Sequence, residues 1–329
     1  MKTPNPFFAC FLAGVFSAAG VTLGAFFLNF GVPTKSSTFV VETIRFKRNL
    51  AESIPAPKIL VMGGSGALFG ISAAKLEQGT GMRAVNLASH AGLGLPILLD
   101  SWRSLAVSGD VVLLALEYEL YRGGKFSDSL GELGVDYILA GDPGLLRRIS
   151  VIEAAWVFFL TPDSRLFRGI KNRFLRREGR GVTGRYNPDM LDRWGDLADP
   201  QDPVSQDFPP IANRSCLAQP WSADSSGSEA LKEFILALKK SNVKVVAAFP
   251  NLMDTPAYRS PVAFKNVEIV KKIYSNLEVP LLDTFDESLF PREDFLDTEY
   301  HLKRSARFQR TEKLILPLRN LLDMNGGPR

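Results

Sequence analysis

Lys58 to Gly70 reads KILVMGGSGALFG, and this stretch decides the fold. Ile59–Met62 is a short apolar run of the length expected for a strand buried in a sheet. Gly63, Gly64, Ser65 and Gly66 then make a turn with almost no side chains. Leu68, Ile71 and Leu76 give the start of a helix. A serine set between glycines at a strand-to-helix turn exposes its hydroxyl, and the N–H groups of the new helix point at whatever lies beside it. Such a turn serves a nucleophile with an oxyanion hole, or a phosphate cradle.

Working outward, Ala84–Leu87 reads as a second short strand containing Asn86, and Ala88–Gly94 as a loop of small residues before a helix over Leu95–Ala106. Val111–Leu116 is continuously apolar, as in a strand buried on both faces, and runs into Glu117-Tyr118-Glu119. Regularity returns at Ser228–Lys240, a helix with Leu231, Phe234, Ile235 and Leu238 on one face. A strand over Val243–Phe249, a helix over Phe264–Asn276, a short strand over Val279–Asp283 and a last helix over Ser305–Leu322 follow. Strands alternating with helices in this way predict a mainly parallel sheet covered on both faces. The segment 123–227 reads as an irregular insertion or lid region. Leu145–Leu160 within it is helical and apolar, but too short for a second span. Eight basic residues between Arg165 and Arg185 form either a solvated face or a patch for anionic lipid or an anionic polymer.

Upstream, Phe7 to Phe30 holds no charged residue in 24 positions. A helix of that length crosses a hydrocarbon core of ~30 Å at about 1.5 Å per residue. The expected organisation is an uncleaved transmembrane anchor over 1–33, a linker over 34–57, one α/β domain over 58–322 and a tail over 323–329. Lys35, Arg45, Lys47 and Arg48 lie beyond the apolar run and weigh towards a cytoplasmic C-terminal side. A net charge of +4 without a basic, aromatic-rich tract gives no basis for a nucleic-acid partner. Two cysteines, Cys10 and Cys216, make neither a disulfide framework nor a zinc site on their own.

His90 and His301 are the two histidines, so a histidine base has to be one of them. A serine needs a base to take its proton and a carboxylate to orient that base. Asp297 lies four residues before His301, within reach of its Nδ1. In an open parallel sheet, Ser65, Asn86, Glu117 and the Asp297–His301 loop all fall beyond the carboxyl ends of the strands. The phosphate readings fit less well. Gly64, Gly66 and Gly70 are one residue off the dinucleotide fingerprint, and Ile71-Ser72 stands where a P-loop has Lys-Ser or Lys-Thr.

A serine after the first strand with an Asp/His pair near the C-terminus resembles the SGNH (GDSL-like) hydrolase family. The resemblance rests on Gly63-Gly64-Ser65, on Asn86 with the Gly92/Gly94 loop, and on Asp297-Thr298-Glu299-Tyr300-His301-Leu302. GGSGALFGI, NLASHAGLGL, GDVVLLALEYELY and DTEYHLKRSARFQRTEKL look more specifically like the membrane-anchored branch found with bacterial exopolysaccharide and cell-envelope genes; the similarity covers about 58–122 and 228–320. It implies an SGNH-like three-layer α/β sandwich behind one transmembrane helix of the inner membrane, with the domain in the periplasm. It also implies acyl hydrolysis or transfer on an envelope polysaccharide, without metal or other cofactor, alongside polysaccharide-biosynthesis membrane proteins. Ser65 would be nucleophile, His301 base and Asp297 its orienting carboxylate. Ser65, Gly92 and Asn86 would supply oxyanion donors, and His90 would border the pocket. Two features depart from the family. Three residues separate Asp297 from His301 where relatives have two, and Glu117 stands where the family's oxyanion asparagine is expected. A non-catalytic, glycan-binding relative is the alternative.

Overall fold

The computed structural model describes residues 6–175, 186–198, 216–221 and 226–323. In chain order, the described elements begin with α1 (Pro6–Leu28) and α2 (Thr38–Ser53). The glycine turn stands between β1 (Ile59–Met62) and α3 (Ser65–Gly70), and α4 (Ala73–Thr80) leads to β2 (Ala84–Asn86). Then come α5 (Leu95–Trp102), β3 (Val111–Leu114), α6 (Tyr118–Arg122), α7 (Glu132–Ala140), α8 (Val151–Leu160) and α9 (Asp163–Leu175). The C-terminal part holds α10 (Ser226–Lys240), β4 (Lys244–Ala247), β5 (Leu252–Met253), α11 (Pro261–Asn276), β6 (Leu289–Phe290) and α12 (Arg304–Asp323).

Two compact units divide the chain, Met1–Val41 with Glu132–Val182, and Glu42–Gly131 with Thr183–Arg329. The larger one is an α/β unit around a four-stranded sheet of order β2-β1-β3-β4, parallel throughout. Ile59–Met62 and Val111–Leu114 are wholly buried, as uninterrupted apolar strands in the centre of a parallel sheet must be. α4 packs with α12, and α10 packs with α5 and α6, giving the helix cover that parallel crossovers require. The strand expected over Val279–Asp283 is reduced to one parallel bridge, Ala247 to Leu281. Pro280 has no N–H to give a ladder there.

The helix expected to run unbroken from Ala67 is two helices. Ser72 breaks it and N-caps α4, its side chain accepting from Lys75 N. Asp196 completes that cap. It takes hydrogen bonds from Ser72 Oγ at 2.8 Å, Ala73 N at 2.9 Å and Ala74 N at 3.1 Å. A residue in the segment read as irregular therefore closes the start of a core helix.

The smaller unit holds α1, long and apolar enough to cross a membrane, together with α7, α8 and α9. Three helices stand in the region read as an irregular insertion, of which only α8 falls where a helix was expected, over Leu145–Leu160. A helix leaves its last carbonyls without internal partners, and α9 reaches the last of them, Leu28 O, and the carbonyls of the segment that follows. Arg173 donates to Leu28 O and Phe30 O, both at 2.6 Å, and Asn172 donates to Pro33 O at 3.1 Å. Arg165 donates to Val32 O at 2.8 Å and is ion-paired with Asp136, both side chains buried. Cations at this end of α1 also oppose the negative pole of its dipole.

Candidate functional site

The chain leaves β1 to one side for β2 and returns across β1 to build β3. A crevice opens at such a reversal, beyond the carboxyl ends of the strands. The glycine turn follows β1 there, and Glu117 lies three residues beyond β3.

Glu117 reaches into the glycine turn. Its side chain is 1% exposed and accepts from Gly64 N at 3.0 Å and Gly66 N at 2.6 Å. This explains the glycines. A Cβ on Gly64 would stand 2.5 and 2.7 Å from the two carboxylate oxygens and 2.7 Å from Ala91 Cβ. On Gly66 it would stand 3.1–3.3 Å from the same side chain. The backbone is bare so that a carboxylate can approach it. Burial pushes Glu117 up to about 7, against the pull of the Gly66 and Gly64 N–H groups and with the help of Glu119.

Ser65 heads α3 half-buried, and its hydroxyl makes no hydrogen bond among the described residues. Phe69 follows four residues later, on the same helix face one turn along. Its ring stacks on His301, centroids 4.2 Å apart and planes at 20°. His301 Nδ1 lies 2.7 Å from Asp297 Oδ1. Tyr186 closes the group, its hydroxyl 3.2 Å from the same Nδ1 and 3.3 Å from Asp297 Oδ2. An Nδ1 proton given to the carboxylate leaves Nε2 as the free acceptor, which is the arrangement a general base needs. The loop is fixed by its own ends. Phe295 bridges Leu302, Leu296 N donates to His301 O at 2.9 Å, and Lys303 N donates to Asp294 O at 2.7 Å. Phe295, Leu302 and Ala306 then enter an apolar cluster with Met253 and Phe290.

Two of the three expected oxyanion donors are committed elsewhere. Asn86 is completely buried. Its amide donates to Ile71 O at 3.1 Å and to Asp196 at 3.0 Å, and its carbonyl accepts from Ala88 N at 3.0 Å. Both amide hydrogens are taken, so Asn86 ties the crevice wall together instead of facing a substrate. Gly92 is exposed, with its N–H donated to His90 Nδ1 at 2.9 Å. His90 is pushed below its usual range by burial and, second, by His301.

More carboxylates border the loop. Tyr300 donates to Glu119 at 3.0 Å, and Tyr258 donates to Glu299. Burial raises both acids, Glu299 to about 7. No protein-family model matches the chain, and no curated protein matches it. The site has to be read from its own geometry. Tyr186 is the participant that sequence reasoning missed, because it is 111 residues from Asp297 with no motif around it. Phe69 was within reach, since a helix starting at Ser65 presents residue 69 on the serine's own face.

Proposed function

We propose that this protein is a membrane-anchored, SGNH-like serine acyl esterase or O-acyltransferase, acting outside the cytoplasm on a cell-envelope or extracellular polysaccharide. The observation that carries the reading is the 2.7 Å contact between His301 Nδ1 and Asp297 Oδ1, on a ring stacked against Phe69 one helical turn from Ser65. Ser65 Oγ attacks the acyl carbonyl while His301 Nε2 takes its proton. The tetrahedral adduct collapses as the same nitrogen returns that proton to the departing sugar oxygen, leaving an ester on Ser65. Water, or a second sugar hydroxyl, then gives its proton to Nε2 and attacks that ester; the adduct collapses by breaking the bond to Ser65 Oγ, which takes the proton back from Nε2, and the acyl group leaves on the attacking oxygen. The first outcome is hydrolysis and the second transfer. Asp297 stabilises the imidazolium throughout, and Tyr186 fixes the carboxylate. The polysaccharide and the extracytoplasmic side come from the resemblance of the GGSGALFGI and DTEYHL segments to envelope-associated members of that family.

Glu117 favours a second reading. Its carboxyl occupies the Gly64 and Gly66 N–H groups, including the donor next to the nucleophile that an oxyanion would use. A chain that keeps the fold but fills its own oxyanion hole would bind glycan without turning it over. Hydrolysis of p-nitrophenyl acetate by the wild type and by Ser65→Ala separates the two. Turnover that Ser65→Ala abolishes supports the enzyme. No turnover by wild type, with Ser65→Ala indistinguishable from it in the cell, sinks it. Cleavage by an external protease in oriented vesicles tests the side of the membrane.

A further inference from the structure

α8 is amphipathic in the wrong sense for water. Its sequence, VIEAAWVFFL, carries one charge, and Glu153 is used in a capping box with Ser150. The side facing its own unit holds Val157 and Phe158. The side facing outward is the stripe Val151, Ile152, Ala155, Trp156, Phe159 and Leu160, every one exposed. The spacing i, i+1, i+4, i+5, i+8, i+9 is one continuous helix face. Val151 is 86% exposed and Phe159 74%. An apolar face of that kind needs a cover.

Three observations within this unit say what the cover is. The first is depth. Phe158 packs on Phe26 of α1, centroids 5.2 Å apart. Phe26 is two residues from the end of α1 at Leu28, about 3 Å along a helix axis. α8 therefore lies level with the last turn of the spanning helix. That is the depth at which interfacial helices bed, roughly 5–10 Å into the boundary between headgroups and acyl chains. The second is continuity. α1 exposes Phe16, Val21 and Phe27 along its length, so its apolar surface and that of α8 belong to one unit. The third is charge. α9 alternates exposed Phe167 and Phe174 with exposed Arg168 and Lys171, the mixture that buries rings and stems while holding cations at phosphate level. Trp156 is the residue type enriched at that level. At ten residues α8 is about 15 Å long, half of what a span needs.

We propose that α8 and the exposed face of α9 bed into the bilayer at the C-terminal end of α1. The apolar stripe sits among acyl chains, and Arg168 and Lys171 sit on anionic phospholipid headgroups. This rests on α1 being a span and is independent of the chemistry at Ser65.

The test uses the full chain with Cys10→Ser and Cys216→Ser, carrying a nitroxide at Ile152→Cys or Phe159→Cys. It is reconstituted in phosphatidylcholine vesicles with about 30% phosphatidylglycerol. Both positions are exposed, so the labels leave the packing intact. The expected result is collision with oxygen at least threefold above collision with a water-soluble nickel chelate at both sites. Arg168→Glu with Lys171→Glu should halve that preference at 159 in these vesicles and leave it unchanged in pure phosphatidylcholine. Nickel dominance at both sites, with the chain still resisting a carbonate wash, overturns the proposal and leaves the anchor standing. Exclusion of both reagents with dipolar broadening means that a second copy covers the face, and overturns it too. Release by carbonate removes the span itself, and this proposal with it.

Discussion

Glu117→Gln tests the site at its least ordinary point. The carboxyl is 1% exposed and pushed from 4.5 to about 7, chiefly by burial. Between those values the folded chain keeps a proton that the unfolded chain has lost. The stability contributed by this group is fully present below pH 4.5 and is lost as pH rises to 7. At about 1.4 kcal/mol per pH unit, the loss is about 3 kcal/mol. Glutamine keeps the shape but cannot ionise. Its single carbonyl also satisfies only one of the two glycine N–H groups, a pH-independent cost of about 1–3 kcal/mol. Glu119 and Glu299 titrate in both proteins, so the quantity to follow is the difference between them. Thermal unfolding in detergent at pH 5, 6, 7 and 8, read by tryptophan fluorescence, should show the wild type losing about 3 kcal/mol more than the variant between pH 5 and 8. That corresponds to roughly 6–12 °C for a unit of this size. Parallel curves would refute the reasoning, since the glycine turn would then hold a carboxyl that is not desolvated.

Gly66→Ala should cost about 1–3 kcal/mol through its contact with Glu117, and a Gly66→Ala/Glu117→Ala double variant should recover part of it; simple additivity in chemical denaturation would contradict the packing. If the chain is the proposed enzyme, Asp297→Asn should lower kcat by about 10³–10⁴ with the fold retained, by loss of the imidazole tautomer. Tyr186→Phe, which removes one neutral hydrogen bond, should cost about tenfold; equal effects of the two would deny Asp297 its role. Burial lowers the Lys47 amine to about 7, against the pull of Asp196 and Asp192, so stability rises with pH from 7 towards 10.5 as the unfolded chain alone stays charged. Lys47→Met should abolish that rise, and a rise that persists in the variant would place its origin elsewhere.

The sequence announces the sheet because β1 and β3 are unbroken apolar runs, and a strand buried on both faces has no other way to look. It announces the Asp297–His301 pair because four residues of loop bring the groups within reach. Other features stay hidden because they depend on where the chain returns. Nothing near Gly64 says that its N–H waits for a side chain 53 residues away, and glycines that admit a carboxylate read the same as glycines that admit a phosphate. Asn86 looked like a free donor because its second acceptor, Asp196, is 110 residues on, in a stretch with no helical or strand period. α8 was legible as an apolar helix. Which of its faces stays uncovered is decided by Phe26 and by α9, and so by packing.

The carboxylate of Asp196 also sets an order of events at birth. It takes the Ala73 and Ala74 N–H groups in the first turn of α4 and the second hydrogen of the Asn86 amide, completing what Ser72 and Ile71 O begin. A chain made at about 5–20 residues per second leaves those donors waiting roughly 5–20 s after Asn86 has been added, until residue 196 arrives. β4, which completes the sheet, comes later still. For that interval β1, α4 and β2 exist as a half-built edge with open hydrogen bonds. Whatever shields a nascent chain of this protein has to do so over that window.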